Sequence, residues 1–180
     1  MRIVIISDTH GDLNAVKRVY SLSGAAEATL HAGDVLSGVS IASQDLADLL
    51  LAQPALFAVR GNCDDSRAAA EIGLDLSQEI RLFKLAGRLV LMHHGHRYHC
   101  RELMARAAEL QAEIVISGHS HRKELFKQDG IVVVNPGSPS RPRDGIPSFA
   151  LWQDDEIALI DLNRAEVLAR QSITGPDTVY

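Results

Sequence analysis

Carboxylate and imidazole side chains recur in this chain directly after short apolar runs. The first run, at residues 3–6, is followed by Asp8 and His10, which lie two residues apart. On an extended backbone such residues project to the same side, so that one metal ion can bind both. The alternative is that Asp8 or Asp12 caps a helix and His10 lies in the turn before it. This motif alone leaves metal binding undecided.

Further polar residues of the same types follow later apolar runs. They are Asp34, Asn62, His94, His119 and His121. The chain has eight histidines, and six of them fall between residues 93 and 121, a density that solvation of the surface does not require. Because ligands gather at the carboxyl ends of strands in open α/β sheets, we expect these side chains to meet at one edge.

The types of side chain indicate a particular class of metal. Aspartate, asparagine and histidine without paired thiolates suit Mn²⁺, Fe, Zn²⁺ or Ni²⁺ and do not describe a sealed structural zinc site. Seven such side chains are too many for one ion. Two ions about 3.5–4 Å apart that share one carboxylate would use all of them, and this arrangement holds the attacking and leaving oxygens in phosphoryl transfer.

Alternating helices and strands must position these residues. The hydrophobic periodicity predicts mostly helices early and mostly strands late. The predicted helices are residues 13–23, 43–53, 64–71 and 101–111. The predicted strands are residues 3–6, 28–31, 55–60, 79–85, 89–92, 114–116, 124–127, 131–134, 149–152 and 157–162. In the absence of a repeat or linker, residues 1–180 are predicted to form a single domain, with about the last 15 residues peripheral.

The overall composition argues against several classes of protein. Hydrophobic residues make up 46% of the 180 residues and charged residues 23%, as in ordinary globular domains. The net charge of −5 does not favour a broad electropositive face, so we expect no stable binding of nucleic acid. There is no apolar run of membrane-spanning length, no signal-peptide pattern, and only two cysteines. These features predict a cytoplasmic protein without membrane attachment.

Six motifs, in chain order, resemble the signature blocks of the calcineurin-like metallophosphoesterases. They are Ser7-Asp8-Thr9-His10-Gly11-Asp12, Ala32-Gly33-Asp34, Arg60-Gly61-Asn62-Cys63-Asp64, His93-His94-Gly95-His96, Gly118-His119-Ser120-His121 and Asn135-Pro136-Gly137-Ser138. The third and last motifs are most similar to the small bacterial and archaeal phosphodiesterase branch of that family. The resemblance extends from residue 1 to about residue 162. It implies a four-layer αββα sandwich, in which helices flank two mixed β-sheets.

The same resemblance implies a pair of divalent metal ions held by seven side chains. The first ion takes Asp8, His10 and His121, the second takes Asn62, His94 and His119, and Asp34 bridges the two. Manganese is the metal we expect, with nickel, zinc and iron as alternatives.

The implied reaction is hydrolysis of a small phosphodiester by a hydroxide that bridges the two metal ions. A phosphomonoesterase is one alternative, and a catalytically silent protein-binding scaffold on the same fold is another. The scaffolds of this superfamily have lost ligands, whereas this chain keeps all seven ligand positions. A homodimer is also considered.

Three residues are predicted to act in catalysis, namely Asp34, Asn62 and His96. His96 is expected to contact the phosphate or the leaving group, or alternatively to support a metal ligand. Many phosphatases of this superfamily carry a histidine at the position of Cys63, where it protonates the leaving group. A thiol is a mediocre acid, so the acid stays unassigned. We interpret Cys63 as a small apolar filler beneath the metal loop.

Four other polar residues near these motifs have structural interpretations. His31 is predicted to be buried and hydrogen-bonded to the backbone. His93 supports a ligand or is simply a strand residue, and His99 is expected to be solvated. Asp12 is expected to cap the first helix or to orient a ligand.

Residues 139–147 are predicted to form a Pro/Arg-rich loop at the surface. Arg141 and Arg143 flank a proline there, and their planar guanidinium groups are suited to gripping a substrate phosphate. Ordinary surface charge is the alternative, and the sequence favours it slightly.

Overall fold

The chain is built around two β-sheets, whose strands come from all parts of the sequence. The computed structural model describes residues 1–36, 38, 41–98 and 100–178, without the side chains of residues 41, 42 and 100. His99, for which we predict solvation, lies outside these residues. The first sheet contains, in spatial order, β11 (Val167–Ser172), β10 (Glu156–Asp161), β9 (Ser148–Gln153), β1 (Arg2–Ile6), β2 (Ala28–His31) and β3 (Leu56–Ala58).

The second sheet, like the first, contains both parallel and antiparallel strands. In spatial order it contains β4 (Ile80–Leu85), β5 (Arg88–His93), β6 (Ile114–Ile116), β8 (Ile131–Pro136) and β7 (Lys123–Gln128). The neighbours β5, β6 and β8 are parallel, as are β1, β2 and β3 in the first sheet. The remaining strands, β9, β10 and β11 of the first sheet and β4 and β7 of the second, pair antiparallel. The parallel strands therefore present their carboxyl ends together.

Helices cover the outer face of each sheet. Three of them, α1 (Leu13–Ser23), α2 (Ile41–Leu51) and α3 (Ser66–Glu71), lie on the first sheet, and α4 (Cys100–Glu109) lies on the second. The layers are therefore helix, sheet, sheet and helix, and the predicted αββα sandwich is confirmed.

The central strand β1 explains why the layers hold together. Ile3 and Ile5 face the second sheet, whereas Val4 and Ile6 face the helices, and all four are fully buried. A strand covered on both faces needs a continuous apolar run instead of an alternating one. Burying each such side chain stabilises the fold by about 1.5–3 kcal/mol before the conformational entropy is counted.

Helix ends follow the local sequence. The carboxylate of Asp12 accepts a hydrogen bond from the backbone N–H of Ala15 at 2.9 Å, which confirms its role as the cap of α1. Asp65 caps α3 in the same way. Strand β3 is shorter than predicted, because the backbone N–H of Arg60 leaves the sheet and donates to the carbonyl of Gln78 at 2.7 Å.

Strand β11 was not among the predicted strands. It pairs only with β10, at the edge of the first sheet, and its side chains Val167 and Leu168 are exposed. No buried face imposes a period of two on such a strand, so the sequence lacks the usual signal.

A buried lysine ties the segment after β11 to the other sheet. Lys127 of β7 is only 7% exposed, and its Nζ donates to the carbonyl oxygens of Ile173, at 2.8 Å, and of Gly175. The backbone of Thr178 also pairs with that of Lys127. Residues 173–178 thus join the edges of the two sheets. Within the described residues, no helix has the length and apolar character that crossing a bilayer requires.

We expect Lys127→Met to lower the free energy of unfolding by about 2–3 kcal/mol, because two carbonyls would lose a charged donor. Urea denaturation followed by circular dichroism measures this loss. Lys84→Met is the matched control, since Lys84 is exposed on β4 and its loss should change stability by less than about 0.5 kcal/mol. Equal losses in the two variants would contradict the role of Lys127.

Candidate metal centre

The seven predicted ligands lie where the carboxyl ends of the parallel strands meet. Loops that follow β1, β2 and β3 of the first sheet and β5 and β6 of the second sheet carry them. In chain order they are Asp8, His10, Asp34, Asn62, His94, His119 and His121. The two sheets thus bring together residues that are up to 113 positions apart, from 8 to 121.

Four of these residues form one compact group. Ligand atoms of Asp8, His10, Asp34 and His121 all lie within 4.8 Å of one another, and all four residues are buried. Nε2 of His121 is 3.3 Å from Oδ1 of Asp8 and 3.3 Å from Nε2 of His10. Nε2 of His10 is 3.7 Å from Oδ2 of Asp34. Nitrogen and oxygen lone pairs thus converge on one point, as metal binding requires.

The other three residues lie on the opposite side of Asp34. Nε2 of His94 is 3.4 Å from Oδ1 of Asp34 and 3.2 Å from Oδ1 of Asn62. The rings of His94 and His119 meet edge to face with centroids 5.2 Å apart. Asn62 and His119 are exposed, so this side is open to solvent. Asp34 therefore turns one oxygen toward each group.

Backbone carbonyls fix the orientation of two imidazoles. Nδ1 of His94 donates to the carbonyl of Ala32 at 2.8 Å, and Nδ1 of His121 donates to that of Arg141 at 2.7 Å. An imidazole that donates through Nδ1 presents the lone pair of Nε2. Both lone pairs therefore point into the cluster, and each ring has the outer hydrogen bond typical of a metal-bound histidine.

The electrostatics of the cluster fit a divalent cation. Burial raises the pKa of Asp8 and lowers that of His10 to about 4, so this histidine is neutral at pH 7. Burial also opposes ionisation of Asp34, but the adjacent His94 and a hydrogen bond from the backbone N–H of Cys63 hold the pKa of Asp34 below its usual range. Two buried carboxylates beside a neutral imidazole need positive charge, which a divalent metal ion would supply.

Most of the ligand residues have an unusual backbone. Asp8, His10, Asp34, His119 and His121 have φ between 47° and 67°, in the left-handed region that non-glycine residues seldom adopt. Hydrogen bonds hold them there, including those from the backbone N–H of Asp8 to Gly33 and from that of His10 to Asp34. Such strain concentrates at functional sites, where surrounding contacts fix the backbone.

The Asn-Pro-Gly-Ser turn supports the ligands without belonging to them. The hydroxyl of Ser138 donates to the carbonyl of Asp8 at 2.7 Å, and the side-chain amide of Asn135 donates to the carbonyl of Gly118 at 2.9 Å. This turn therefore fixes one ligand loop from each sheet. Sequence reasoning recognised the motif but did not predict these contacts, which join residues 130 and 17 positions apart.

His31 is fully buried, as predicted, but its partner differs from the prediction. Nε2 of His31 lies 2.9 Å from the hydroxyl of Thr9, which itself donates to the carbonyl of Val35. The expected hydrogen bond to the backbone is therefore wrong, because a threonine side chain takes its place. His31 supports the loop between Asp8 and His10 from beneath.

A cleft of about 360 Å³ opens above the cluster. It is lined by His10, Asp34, Asn62, Cys63, His119, His121, Arg141 and Arg143. Cys63 is exposed here, so its interpretation as a filler beneath the loop is wrong. Its backbone N–H donates to Oδ1 of Asp34 at 2.8 Å, while burial and the nearby Asp34 carboxylate raise the pKa of the thiol to about 11. The thiol therefore stays protonated at neutral pH.

Arg141 and Arg143 line the cleft, whereas His96 lies outside its described lining. Arg141 and Arg143 belong to the wall of the cleft, so their charge faces the place where a substrate would bind. The sequence had favoured plain surface charge, because nothing in it shows that residues 139–147 fold back over the cluster. The ring of His96 packs 5.5 Å from that of His94 and 6.2 Å from that of His119, outside the described lining of the cleft. Its contact with substrate stays a prediction.

We expect Gly61→Ala to reduce metal binding at least about tenfold, because a Cβ there would lie 2.1 Å from Oδ1 of Asp34 and would displace that carboxylate. Dialysis against Mn²⁺ followed by elemental analysis measures the metal bound per chain. Gly87→Ala is the control, since it adds left-handed strain at φ +79° but meets no atom within 4 Å. A Gly61→Ala protein that binds as much metal as the unchanged chain would contradict the packing argument.

Known proteins similar to this chain share both its length and its shape. A probable metallophosphoesterase of Methanothermobacter thermautotrophicus is 31% identical over 161 residues, which cover 86% of this chain and 87% of that protein. Phosphodiesterase YfcE of Escherichia coli strain K12 is 28% identical over an alignment 184 residues long, which covers 96% of this chain and 98% of that protein.

Solved structures of similar proteins have the same fold as this chain. That of Yfce, a phosphoesterase from E. coli, superimposes with a TM-score of 0.78 and 25% identity, covering 96% of this chain and 100% of that one. Vps29 of Entamoeba histolytica, complexed with Zn²⁺, has a TM-score of 0.72 at 22% identity, covering 96% of this chain and 99% of that one, and shares the fold. Residues 1–156 match the calcineurin-like phosphoesterase superfamily domain. The match spans most of the chain, which therefore belongs to the calcineurin-like phosphoesterase superfamily.

Proposed function

We propose that this chain hydrolyses small phosphodiesters with the help of two divalent metal ions. The observation that carries the proposal is the position of Asp34, whose two carboxylate oxygens face two separate groups of nitrogen and oxygen ligands. A relative is named a phosphodiesterase, which supports hydrolysis of phosphoester bonds by this chain as well. The scaffold alternative is not favoured, because every predicted ligand residue is present.

The first ion would be held by Asp8, His10 and His121, and the second by Asn62, His94 and His119, with Asp34 between them. When bound, divalent ions supply a water that is acidic near neutral pH and positive charge for the phosphoryl oxygens. Manganese is our preferred metal, because mixed oxygen and imidazole ligands suit it, and nickel, zinc and iron fit the same set.

The residues of the chain itself would bind and orient the substrate. Arg141 and Arg143 stand on the wall of the cleft beside His119 and His121, where a guanidinium group can hold a phosphate oxygen. Fixing the phosphate there lowers the entropic part of the barrier. Asn62 lies at the open side and can orient a phosphoryl oxygen, and we keep His96 as the candidate contact for the leaving group.

Diesters are preferred over monoesters in this proposal because the cleft offers a poor acid. The Cys63 thiol at the cleft is a weaker general acid than an imidazolium at neutral pH. Substrates whose leaving group needs little protonation therefore suit the site. We also propose a cytoplasmic location, a single domain over residues 1–180 and, as a further option, a homodimer.

The ester preference is tested by comparing bis(p-nitrophenyl) phosphate with p-nitrophenyl phosphate after chelation and reloading with Mn²⁺. We expect kcat/KM to be at least about tenfold higher for the diester. Asp34→Asn should lose bound metal and lower diester turnover at least about 10- to 100-fold, since it removes the shared charge. Asp129→Asn, in an exposed hairpin with φ 52°, is the matched control and should change neither. Normal turnover by Asp34→Asn would make the proposal wrong.

Arg143→Ala should raise KM for the diester about three- to tenfold with little change in kcat, because an exposed guanidinium group contributes about 1 kcal/mol to phosphate binding. Steady-state kinetics at low ionic strength measures both constants. Arg164→Ala is the control, since the Arg164 side chain is 74% exposed and pairs only loosely with Glu166. An unchanged KM in Arg143→Ala would remove this residue from substrate binding.

A further inference from the structure

A second cavity, of about 230 Å³, lies next to the metal centre on the outer face of the second sheet. Val115 and Val133 form its floor, and Leu103 and Met104 of α4 form one wall. Its polar rim comes from the strand ends and includes Ser117, Ser120, Glu124 and Asn135. The cavity is therefore apolar in its depth and polar at its mouth, as small-molecule sites are.

His93 is the polar residue of this cavity whose hydrogen bonds are missing. It is 1% exposed, and neither of its ring nitrogens has a partner among the described residues. The side-chain amide of Asn135, by contrast, is used in bonds to Gly118 and Ser120. A neutral imidazole carries one donor and one acceptor, and leaving both unpaired in a buried place is costly. A ligand with a donor or an acceptor in reach would satisfy one of them.

His119 connects this cavity to the metal centre. Its side chain lines both the cavity and the cleft above the ligands. Gly95 and Gly118 stand beside it without side chains, and a Cβ on Gly95 would lie 3.3 Å from the carbonyl of Gly118. The cavity and the cleft are therefore neighbours, with His119 as their shared lining residue.

The lining restricts what the cavity can hold. None of its described residues is a lysine or an arginine, and Glu124 places a carboxylate at the rim, so an anion such as a second phosphate is disfavoured. Its volume is below the roughly 300 Å³ at which pockets begin to hold a whole drug-sized molecule. The occupant is therefore one uncharged group of about a single ring system.

We propose that this cavity binds one organic substituent of the phosphodiester, an uncharged heteroaromatic ring with a hydrogen-bonding group on its edge, and that one ring nitrogen of His93 pairs with that group. The inference rests on the proposed function, because it specifies part of the substrate. It makes His93, Leu103 and Met104 specificity residues of the hydrolase.

Binding is tested first without metal or turnover, by following backbone amide signals of Val115 and Val133 in an NMR titration with adenosine. Ribose, which lacks the ring, is the matched probe. We expect adenosine but not ribose to shift these signals, and Met104→Trp, which fills the cavity, to weaken binding at least about tenfold. His93→Phe keeps the ring but removes both nitrogens and should weaken binding about three- to tenfold. Ala105→Trp places the same side chain on the exposed face of α4 and should leave adenosine binding unchanged.

Turnover then tests whether the bound ring belongs to the substrate. The p-nitrophenyl ester of thymidine 5′-phosphate and methyl p-nitrophenyl phosphate share a leaving group and differ in the other substituent. Met104→Trp should lower the ratio of their kcat/KM values, thymidine ester over methyl ester, at least about fivefold, whereas Ala105→Trp should preserve it.

The outcomes separate this inference from the proposed function. Adenosine shifts that persist undiminished in Met104→Trp, or diester hydrolysis with no adenosine shifts, would overturn the cavity proposal. An unchanged kcat/KM ratio in Met104→Trp would overturn the link between the cavity and the substrate. Adenosine binding in a chain that hydrolyses no diester would overturn the proposed function and leave the cavity as a binding site.

Discussion

The burial of one carboxylate, that of Asp34, is the constraint on which the candidate metal centre depends. Asp34 is 2% exposed, yet its environment keeps it ionised through His94 and the backbone N–H of Cys63. An ionised group in such a place needs compensation, which fixed hydrogen bonds provide and a cation would complete. The neighbouring Gly61 fits only because it has no side chain. The loops around Asp34 therefore both stabilise its negative charge and leave room for its side chain.

The sandwich gives this constraint a mechanical basis. Asp8, His10 and Asp34 come from the first sheet, whereas His94, His119 and His121 come from the second. Each ligand is therefore held by the end of a rigid strand on one side of the interface between the two sheets. The inter-sheet core, with Ile3 and Ile5 opposite Val132 and Val134, keeps the two sets at a fixed separation. Left-handed backbone at most of the ligands then turns the side chains back toward the interface.

Some of this arrangement was readable from the sequence, and the limits have physical reasons. Buried strands such as β1 carry continuous apolar runs, so their ends and the meeting of the ligand residues there were predicted. Strand β11 was missed because its pairing uses the backbone and its side chains remain exposed. The exposure of Cys63 and the position of Arg143 on the wall of the cleft depend on loop conformations that local periodicity does not encode. The bond from Ser138 to Asp8 is likewise invisible until the fold brings the two together.

The pairing of β1 with β9 has a consequence for biosynthesis. Ile3 lies opposite Trp152, so the middle of the first sheet stays incomplete until about five sixths of the chain has been translated. Until then β1 offers an unpaired apolar edge that other nascent strands can join. High contact order of this kind slows folding and prolongs exposure to aggregation. A ribosome-bound intermediate of this protein is thus an expected client of chaperones that shield strand edges.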